Sequence, residues 1–231
     1  KNKVVLKGGT VAGDVYGGHI ASAAATGNVT GGSVTITGGT VAGDIYGGFT
    51  NGSGTTTGNT VSLGDGEHSL AAGTHIAGTV YGGNKADTGN TLNVNTNATA
   101  GNIGNFEHLK FNVNSNALNA VNPMLTLHAG ATNNLDWGKL TVNATKFNSP
   151  ISTYQAYNLT LMRNSAGIDF TKNSVNTYTA GGGIKDVTSG NFEFTVDTLG
   201  SSVHTTEVRA AGYQYNNHTA ATYTAADGSH P

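Results

Sequence analysis

A segment of eleven residues, present in two nearly identical copies, constrains the fold of this chain more than any other feature. Residues 8–18 read GGTVAGDVYGG, and residues 38–48 repeat that sequence with one valine replaced by isoleucine. A looser copy occupies residues 73–83, and a more divergent one occupies residues 100–105. Self-similarity at periods of about 20 to 50 residues is typical of solenoids, propellers and other repeat arrays. We therefore expect one structural unit that is built several times along the chain.

Short runs of alternating apolar residues precede the copies and predict β-strands. Apolar residues two positions apart, separated mostly by polar ones, are the pattern of a half-buried strand. No window shows a helical period, and the paired glycines of the repeat would destabilise any helix. The chain is therefore predicted to be all-β, with strands that contain the pairs Val4/Leu6, Val34/Ile36, Val61/Leu63 and Leu92/Val94.

We name one repeat, with its strands and corners, a rung. A single rung cannot enclose a core, whereas stacked rungs bury a continuous one with like residues above like. The handedness of parallel crossovers then predicts a right-handed parallel β-helix, a type of β-solenoid, with rungs about 4.8 Å apart. A propeller, the alternative repeat fold, needs more strands in each repeat than this sequence supplies. Two inward columns are predicted, Val11/Val41/Ile76 and Val15/Ile45/Val80/Ile103.

The glycine, aspartate and tyrosine residues of the repeat are predicted to have structural roles. Glycine at a corner supplies a positive φ without a clash at Cβ. The tyrosines are predicted to form a third column, either as an aromatic ladder or as corner packing. This structural set comprises Gly13, Asp14, Tyr16, Gly17 and Gly18, then Gly43, Asp44, Tyr46, Gly47 and Gly48, then Gly78, Tyr81, Gly82 and Gly83.

Composition excludes several classes of partner and chemistry. Charged residues make up 10% of the chain, against about 25% in ordinary globular domains. The net charge is −2, and no basic stripe provides an electrostatic basis for binding nucleic acid or an anionic membrane surface. No apolar run approaches the ~20 residues of a membrane helix. The absence of cysteine excludes thiol catalysis and suits a chain that crosses a cell envelope unfolded.

The chain divides into three predicted parts by its regularity. Residues 1–113 hold the repeats, residues 114–210 hold less regular strands that end in a cap, and residues 211–231 form a polar linker tail. Solenoid ends need caps because they otherwise expose an apolar cross-section and unpaired strand edges. Turn-like pairs such as Asn133-Asn134 are predicted to separate the later strands. The loops after each repeat vary, so binding is expected there.

Asp14 and Asp44 are the candidate catalytic pair. Enzymes that cleave glycosidic bonds use paired carboxylates, and stacked rungs would bring these two close together. The third copy has Thr79 at the same place, and no second column of carboxylates accompanies the first. The pattern therefore favours turn aspartates that accept hydrogen bonds from backbone amides.

A second cluster of polar residues lies in the loop before the third copy and at the start of that copy. Carboxylates and imidazoles within a few residues of each other form a candidate metal site. The pattern is more typical of a solvated polar loop, and we predict no metal, no cofactor and no catalytic residue for this chain. The cluster consists of Asp65, Glu67, His68 and His75.

The order of motifs resembles a known family. Rungs that carry Gly-Asp-Val/Ile-Tyr-Gly-Gly come first, and residues 103–111, of the form Ile-x-x-Phe-x-x-Leu-x-Phe, follow. Residues 123–127 (PMLTL) and 157–164 (YNLTLMRN) come next. This order resembles the C-terminal part of the passenger of large bacterial autotransporter adhesins of type Va secretion, over roughly residues 3–210.

The resemblance implies a right-handed β-helix on the bacterial surface, followed by an outer-membrane β-barrel that this chain lacks. It also implies that this section acts as a folding nucleus during export. We therefore expect a non-enzymatic stalk that supports adhesion or aggregation. Its expected partners are a host or bacterial surface protein, a glycan or a second copy of the chain. The alternatives are a carbohydrate-active β-helix enzyme and a self-assembling structural module.

Overall fold

The structure, a computed structural model, describes part of the 231-residue chain. The described residues are 1–66, 70–86, 88–113, 122–136, 140–144, 159–172, 178–179, 182–189, 192–199 and 202–210. Within these ranges the chain is all-β, with no helix. The strands up to residue 113 are β1 (Lys3–Val11), β2 (Val15–Tyr16), β3 (His19–Ile20), β4 (Val29–Thr30), β5 (Ser33–Val41), β6 (Ile45–Thr50), β7 (Thr56–Thr57), β8 (Thr60–Leu63), β9 (His75–Ile76), β10 (Thr79–Gly83), β11 (Thr91–Val94), β12 (Ala98–Ala100), β13 (Asn102–Gly104) and β14 (His108–Val113).

The later strands are longer on average and pair differently. Strands β12, β15 and β18 are parallel, whereas β18, β23, β22 and β21 follow one another with antiparallel pairing. These strands are β15 (Leu125–Leu127), β16 (Thr132–Asp136), β17 (Leu140–Ala144), β18 (Leu159–Asn164), β19 (Ile168–Lys172), β20 (Tyr178–Thr179), β21 (Gly182–Ser189), β22 (Phe192–Leu199) and β23 (Ser202–Ala210).

One sheet runs through the stack in the order β1-β5-β8-β11-β14-β17, with every neighbour parallel. Parallel pairing in register places the alternating apolar residues of successive strands above one another. The prediction of parallel strands in stacked sheets is confirmed, and the arrangement is compatible with a β-solenoid. The aligned residues of one inward column are Val4, Val34, Val61, Leu92, Leu109 and Leu140.

A second sheet contains β2, β6, β10 and β13, also parallel to one another. It aligns Val15, Ile45, Val80 and Ile103 in one column, which is the column expected from the repeat. Strand β9 extends the first sheet at β5 and places Ile76 beside Val41. The two sheets therefore enclose a common apolar interior.

The apolar interior is fully closed in the middle rungs. Ile36 and Leu63, from neighbouring strands, have no exposed surface, and Phe111 fills the same column further along. In the first rung the equivalent Leu6 is only half-buried, as is Val4 beside it. Burial is the main stabilising term in such a fold, so the first rung is held less firmly than those above it.

Rung length varies where the sequence repeat is weakest. Leu92 and Leu109 are neighbours in the first sheet although only 17 positions separate them. Val61 and Leu92, by comparison, are 31 positions apart. The short rung turns at Asn105, whose φ of 55° is in the left-handed region that asparagine tolerates better than most residues.

The strand predictions for the second half are confirmed in part. Within residues 114–210, which are predicted to hold less regular strands, the described strands are β15 to β23, and β15 and β18 fall in the motifs at residues 123–127 and 157–164. The predicted break at Asn133-Asn134 is wrong, because both asparagines lie within β16, which pairs with β19. Burial of Leu135 and pairing with β19 override the turn preference of the asparagines. The boundaries at residues 113 and 210 and the cap stay predictions, and the tail lies outside the described residues.

Candidate functional site

The three repeat tyrosines form a stacked column on the outside of the second sheet. Tyr16 and Tyr81 each align with Tyr46 in parallel register. The ring centroids of Tyr16 and Tyr46 are 5.4 Å apart, with 8° between the ring planes. Those of Tyr46 and Tyr81 are 5.0 Å apart, with 10° between the planes. All three side chains are partly exposed, so the ring edges and hydroxyl groups line a surface.

Two further aromatic residues join this column. The ring of His19 stacks on Tyr16 at 4.5 Å and 12°. The ring of Phe49 meets Tyr16 and Tyr46 edge to face, at 5.2 and 5.0 Å. We name these five residues the aromatic ladder. Edge-to-face and offset stacked contacts of this kind stabilise by about 0.5–1.5 kcal/mol beyond area burial.

Sequence reasoning missed His19 and Phe49 because both follow the repeat and fall in segments assigned to variable loops. A positional signal was nevertheless present, since each lies three residues after the repeat tyrosine of its own rung. The structure aligns the two residues as partners in parallel strands. The third rung has Asn84 at that position, and its amide exchanges hydrogen bonds with the backbone of Thr50 instead.

The repeat aspartates form a second ladder that connects rungs through the backbone. Oδ1 of Asp14 accepts a hydrogen bond from the backbone N–H of Asp44 at 2.8 Å. Oδ1 of Asp44 accepts one from the N–H of Thr79 at 2.7 Å. Each aspartate therefore bonds the next rung at the position that repeats it. This is the role that the sequence favours for these residues over catalysis.

The second oxygen of each aspartate accepts a hydrogen bond from the tyrosine of the same rung. The hydroxyl of Tyr16 donates to Oδ2 of Asp14 at 2.8 Å, and that of Tyr46 donates to Oδ2 of Asp44 at 3.2 Å. The bond to Asp14, assisted by burial, raises the pKa of Tyr16. The pKa of Tyr46 is also raised, mainly by burial and in addition by the charge of Asp44. Both phenols therefore remain protonated donors at neutral pH.

The glycines after each tyrosine are required by close packing between rungs. A Cβ added to Gly17 would lie 2.5 Å from the carbonyl oxygen of Gly47, and one added to Gly47 would lie 2.6 Å from that of Gly82. Neither residue has a positive φ, unlike Gly9 and Gly39 at the first corner, with φ of 83° and 95°. The prediction of positive φ is therefore right for the second glycine of the first pair, Gly9 or Gly39, and wrong for the pair that follows the tyrosine. A Cβ would separate the stacked backbones there.

Buried asparagines form a third ladder, inside the corner after the loops. Oδ1 of Asn59 accepts from the N–H of Gly32 at 2.8 Å, and Oδ1 of Asn90 accepts from the N–H of Asn59 at 3.0 Å. In the next rung Oε2 of Glu107 accepts from the N–H of Asn90 at 2.9 Å. Asn59 and Asn90 have no exposed surface. Buried N–H groups require hydrogen-bond partners, and these side chains supply them at corners where no neighbouring strand does.

The loops that follow each repeat also stack on one another. The Lys85 ammonium donates to the carbonyl oxygens of Gly52 and Gly54, at 2.7 and 2.5 Å. The N–H of Thr55 donates to Oδ1 of Asn28 at 2.9 Å. The described loop residues are therefore held against neighbouring rungs. They extend the regular surface instead of forming a separate, freely variable edge.

The candidate metal site is only partly described, since Glu67 and His68 lie outside the described residues. Among the residues that the structure does describe, no group of three or more histidine, cysteine, aspartate or glutamate side chains is placed to hold a metal ion. His75, a member of the candidate site, stacks against His128 with 5.9 Å between the ring centroids. The described residues also contain no helix that is long and apolar enough to cross a membrane.

Comparisons with known proteins identify no relative of this chain. No protein-family model matches the chain, and neither a curated protein nor a solved structure does. The stack of parallel sheets and the ladders on it are therefore the features from which function is inferred.

Proposed function

We propose that this chain is a non-enzymatic stalk on the bacterial cell surface, a right-handed parallel β-helix that supports adhesion or aggregation. The proposal combines the motif order, which resembles the passengers of autotransporter adhesins, with the geometry of the stack. Its partner is a surface protein, a glycan or a second copy of the chain. The proposal assigns the segment a second role as the part on which upstream rungs fold during export.

The observation that carries the proposal is the continuity of the stack. One apolar column passes through six strands of the first sheet, from Val4 to Leu140. Each contact in such an array joins neighbouring rungs, so length is gained by adding rungs without redesigning the core. A chain that must project other segments away from a surface benefits from this property.

The outward face of the same sheet supports a contact role. One of its columns consists almost entirely of small residues with hydroxyl or amide groups, and a single lysine supplies its charge. Neutral polar groups at regular spacing suit many weak hydrogen bonds with a glycan or another polar surface. The aligned residues after Val5 are Thr35, Ser62, Asn93, Lys110 and Thr141.

The engagement of the aspartates favours the stalk over a carbohydrate-active enzyme. Both oxygens of Asp14 and of Asp44 accept hydrogen bonds from the backbone or from tyrosine. A general acid or a nucleophile needs an oxygen that reaches the substrate. Substitution of either aspartate should therefore alter the stability of the stack.

The test is to display residues 1–231 on the surface of a bacterium that does not aggregate or adhere by itself. Settling of the culture and attachment to cultured cells are then measured. We expect faster settling or stronger attachment than with an Ile45→Asp variant, in which a buried charge disrupts the core. Displayed, folded chain that changes neither property would contradict the proposal. Release of sugars from polysaccharides by the purified chain would favour the enzyme.

A further inference from the structure

The tyrosine–aspartate pairs combine three features that favour oxidation of phenols. The rings of Tyr16 and Tyr46 are stacked and nearly parallel. Each hydroxyl donates to a carboxylate of its own rung, Asp14 or Asp44. Both rings are partly exposed, so a small oxidant reaches their edges. The chain also has no cysteine that would compete for the oxidant or supply a disulfide.

We propose that Tyr16 and Tyr46 form an oxidative cross-linking site, which a peroxidase with hydrogen peroxide converts to dityrosine. The product is a covalent bond between the first two rungs of the stack. In a chain without disulfides, dityrosine would be a covalent cross-link between residues that are 30 positions apart in the sequence and adjacent in the stack. This inference concerns the ladder alone and does not depend on the proposed function.

The reaction balances as follows. Each phenol gives one electron to the oxidant and its hydroxyl proton to the neighbouring carboxylate, which leaves two tyrosyl radicals. The radicals couple through one ring carbon ortho to each oxygen, and the hydrogen on each of these carbons then moves to its own phenol oxygen. Hydrogen peroxide accepts the two electrons and, by way of the carboxylates and water, the two protons, and it becomes two molecules of water.

The carboxylates determine which pair of tyrosines reacts. A phenol is protonated at neutral pH, so loss of an electron is accompanied by loss of the proton that Tyr16 and Tyr46 donate to their carboxylates. Asp14 and Asp44 accept that proton directly. The third rung has Thr79 where the others have aspartate, so Tyr81 lacks a carboxylate from its own rung. Proximity alone would favour the second pair of rings, which is closer by 0.4 Å (5.4 − 5.0).

The experiment treats the full chain with peroxidase and hydrogen peroxide and then unfolds it. Digestion by a protease that cleaves before aspartate places the three tyrosines in separate peptides, 14–43, 44–64 and 65–86. We expect a product with the combined mass of the first two peptides less two hydrogen atoms, together with dityrosine fluorescence. Tyr16→Phe should abolish this product.

Two aspartate variants separate proton acceptance from ring proximity. In Asp14→Asn, Oδ1 still accepts from Asp44, but the amide nitrogen cannot accept the Tyr16 proton. The yield of the first cross-link should fall roughly 10-fold or more, because a positioned proton acceptor contributes about 10²-fold or more to a rate. Thr79→Asp supplies the missing carboxylate and should raise the cross-link between Tyr46 and Tyr81.

Three results would overturn the inference. One is a cross-link between Tyr46 and Tyr81 that is at least as abundant as the first in the unmodified sequence. Another is an unchanged yield in Asp14→Asn. The last is the presence of cross-links only between separate molecules. Should Asp14→Asn fail to fold, the response of Thr79→Asp decides the question.

Discussion

The contact between rungs at the repeat glycines gives a sharp test of the stacked fold, through the pair Gly13→Ala and Gly43→Ala. Both glycines lie in the same local sequence, Val-Ala-Gly-Asp, and neither has a positive φ. A Cβ on Gly13, in the first rung, meets no atom within 4 Å. A Cβ on Gly43 would lie 2.6 Å from the backbone carbon of Gly13 and 2.7 Å from its oxygen. The intrinsic backbone preferences of the two positions are therefore matched, and the positions differ only in whether a neighbouring rung packs against the added Cβ.

The expected difference in stability follows from these distances. Contacts shorter than 3.0 Å require something to shift. Here the neighbouring atoms are backbone atoms of Gly13, next to the hydrogen bond that the N–H of Asp44 donates to Asp14. Overpacking of this kind destabilises by about 1–3 kcal/mol, to which the weakened hydrogen bond adds about 0.5–1.5 kcal/mol. Gly13→Ala should be neutral or should stabilise by about 0.4–1 kcal/mol, because it restricts the unfolded chain.

Thermal and urea unfolding of the two variants beside the native chain measure this difference. A loss of 1 kcal/mol lowers Tm by about 2–4 °C in a chain of this size, so Gly43→Ala should melt about 3–18 °C below the native chain. Gly13→Ala should melt at or slightly above the native temperature. Equal melting temperatures for the two alanine variants would refute the packing of the second rung on the first.

Three other predictions follow from the ladders and the sheets. The pKa of Tyr46 is raised in the folded chain, so the stability that this residue contributes is complete below its unfolded pKa of about 10. That contribution declines as pH rises from there towards the higher folded pKa. The free energy of unfolding should therefore fall at alkaline pH, and Tyr46→Phe should reduce this dependence. Asn59→Ala leaves the N–H of Gly32 buried without its partner and should destabilise by about 1–3 kcal/mol, whereas the exposed Asn51→Ala should have little effect in the same urea titration. Removal of residues 114–231 uncovers the outer edge of β14 and should leave residues 1–113 prone to aggregate, as measured by sedimentation; a soluble fragment that unfolds cooperatively would contradict a capping role for the second half.

The sequence determines the core more directly than it determines the surface. The apolar pairs Val34/Ile36 and Val61/Leu63 identify both the strands and their inward faces, because a period of two admits one buried side only. Register follows from repetition, since the near-identical copies align Tyr16 with Tyr46 when their strands pair. Those parts of the fold are predictable because local pattern and tertiary pairing agree.

The contacts beyond the repeat depend on three-dimensional neighbours that the local sequence does not name. His19 and Phe49 lie in segments without strand alternation, yet Phe49 meets the rings of both Tyr16 and His19 from the adjacent rung. Asn133 and Asn134 have turn preferences, yet they lie within β16, at an irregularity in its pairing with β19 between Thr132 and Leu135. In each case the deciding energy comes from another rung, so composition and local propensity predict a loop.

The ladders explain why the repeat retains residues that the core does not need. Burial in the interior requires only Val11, Val15, Val41 and Ile45 of the two copies, and many polar residues would satisfy the outward positions. The aspartate, however, bonds both the next rung and its own tyrosine, while the glycines allow the backbones to approach. Each element works only when the adjacent rung carries its counterpart. The third rung, with Thr79, lacks the carboxylate that would continue the aspartate ladder beyond it. The ladder between Asp14 and Thr79 therefore ties the first rung, where the half-buried Leu6 shows weak apolar burial, to the fully buried rungs that follow it.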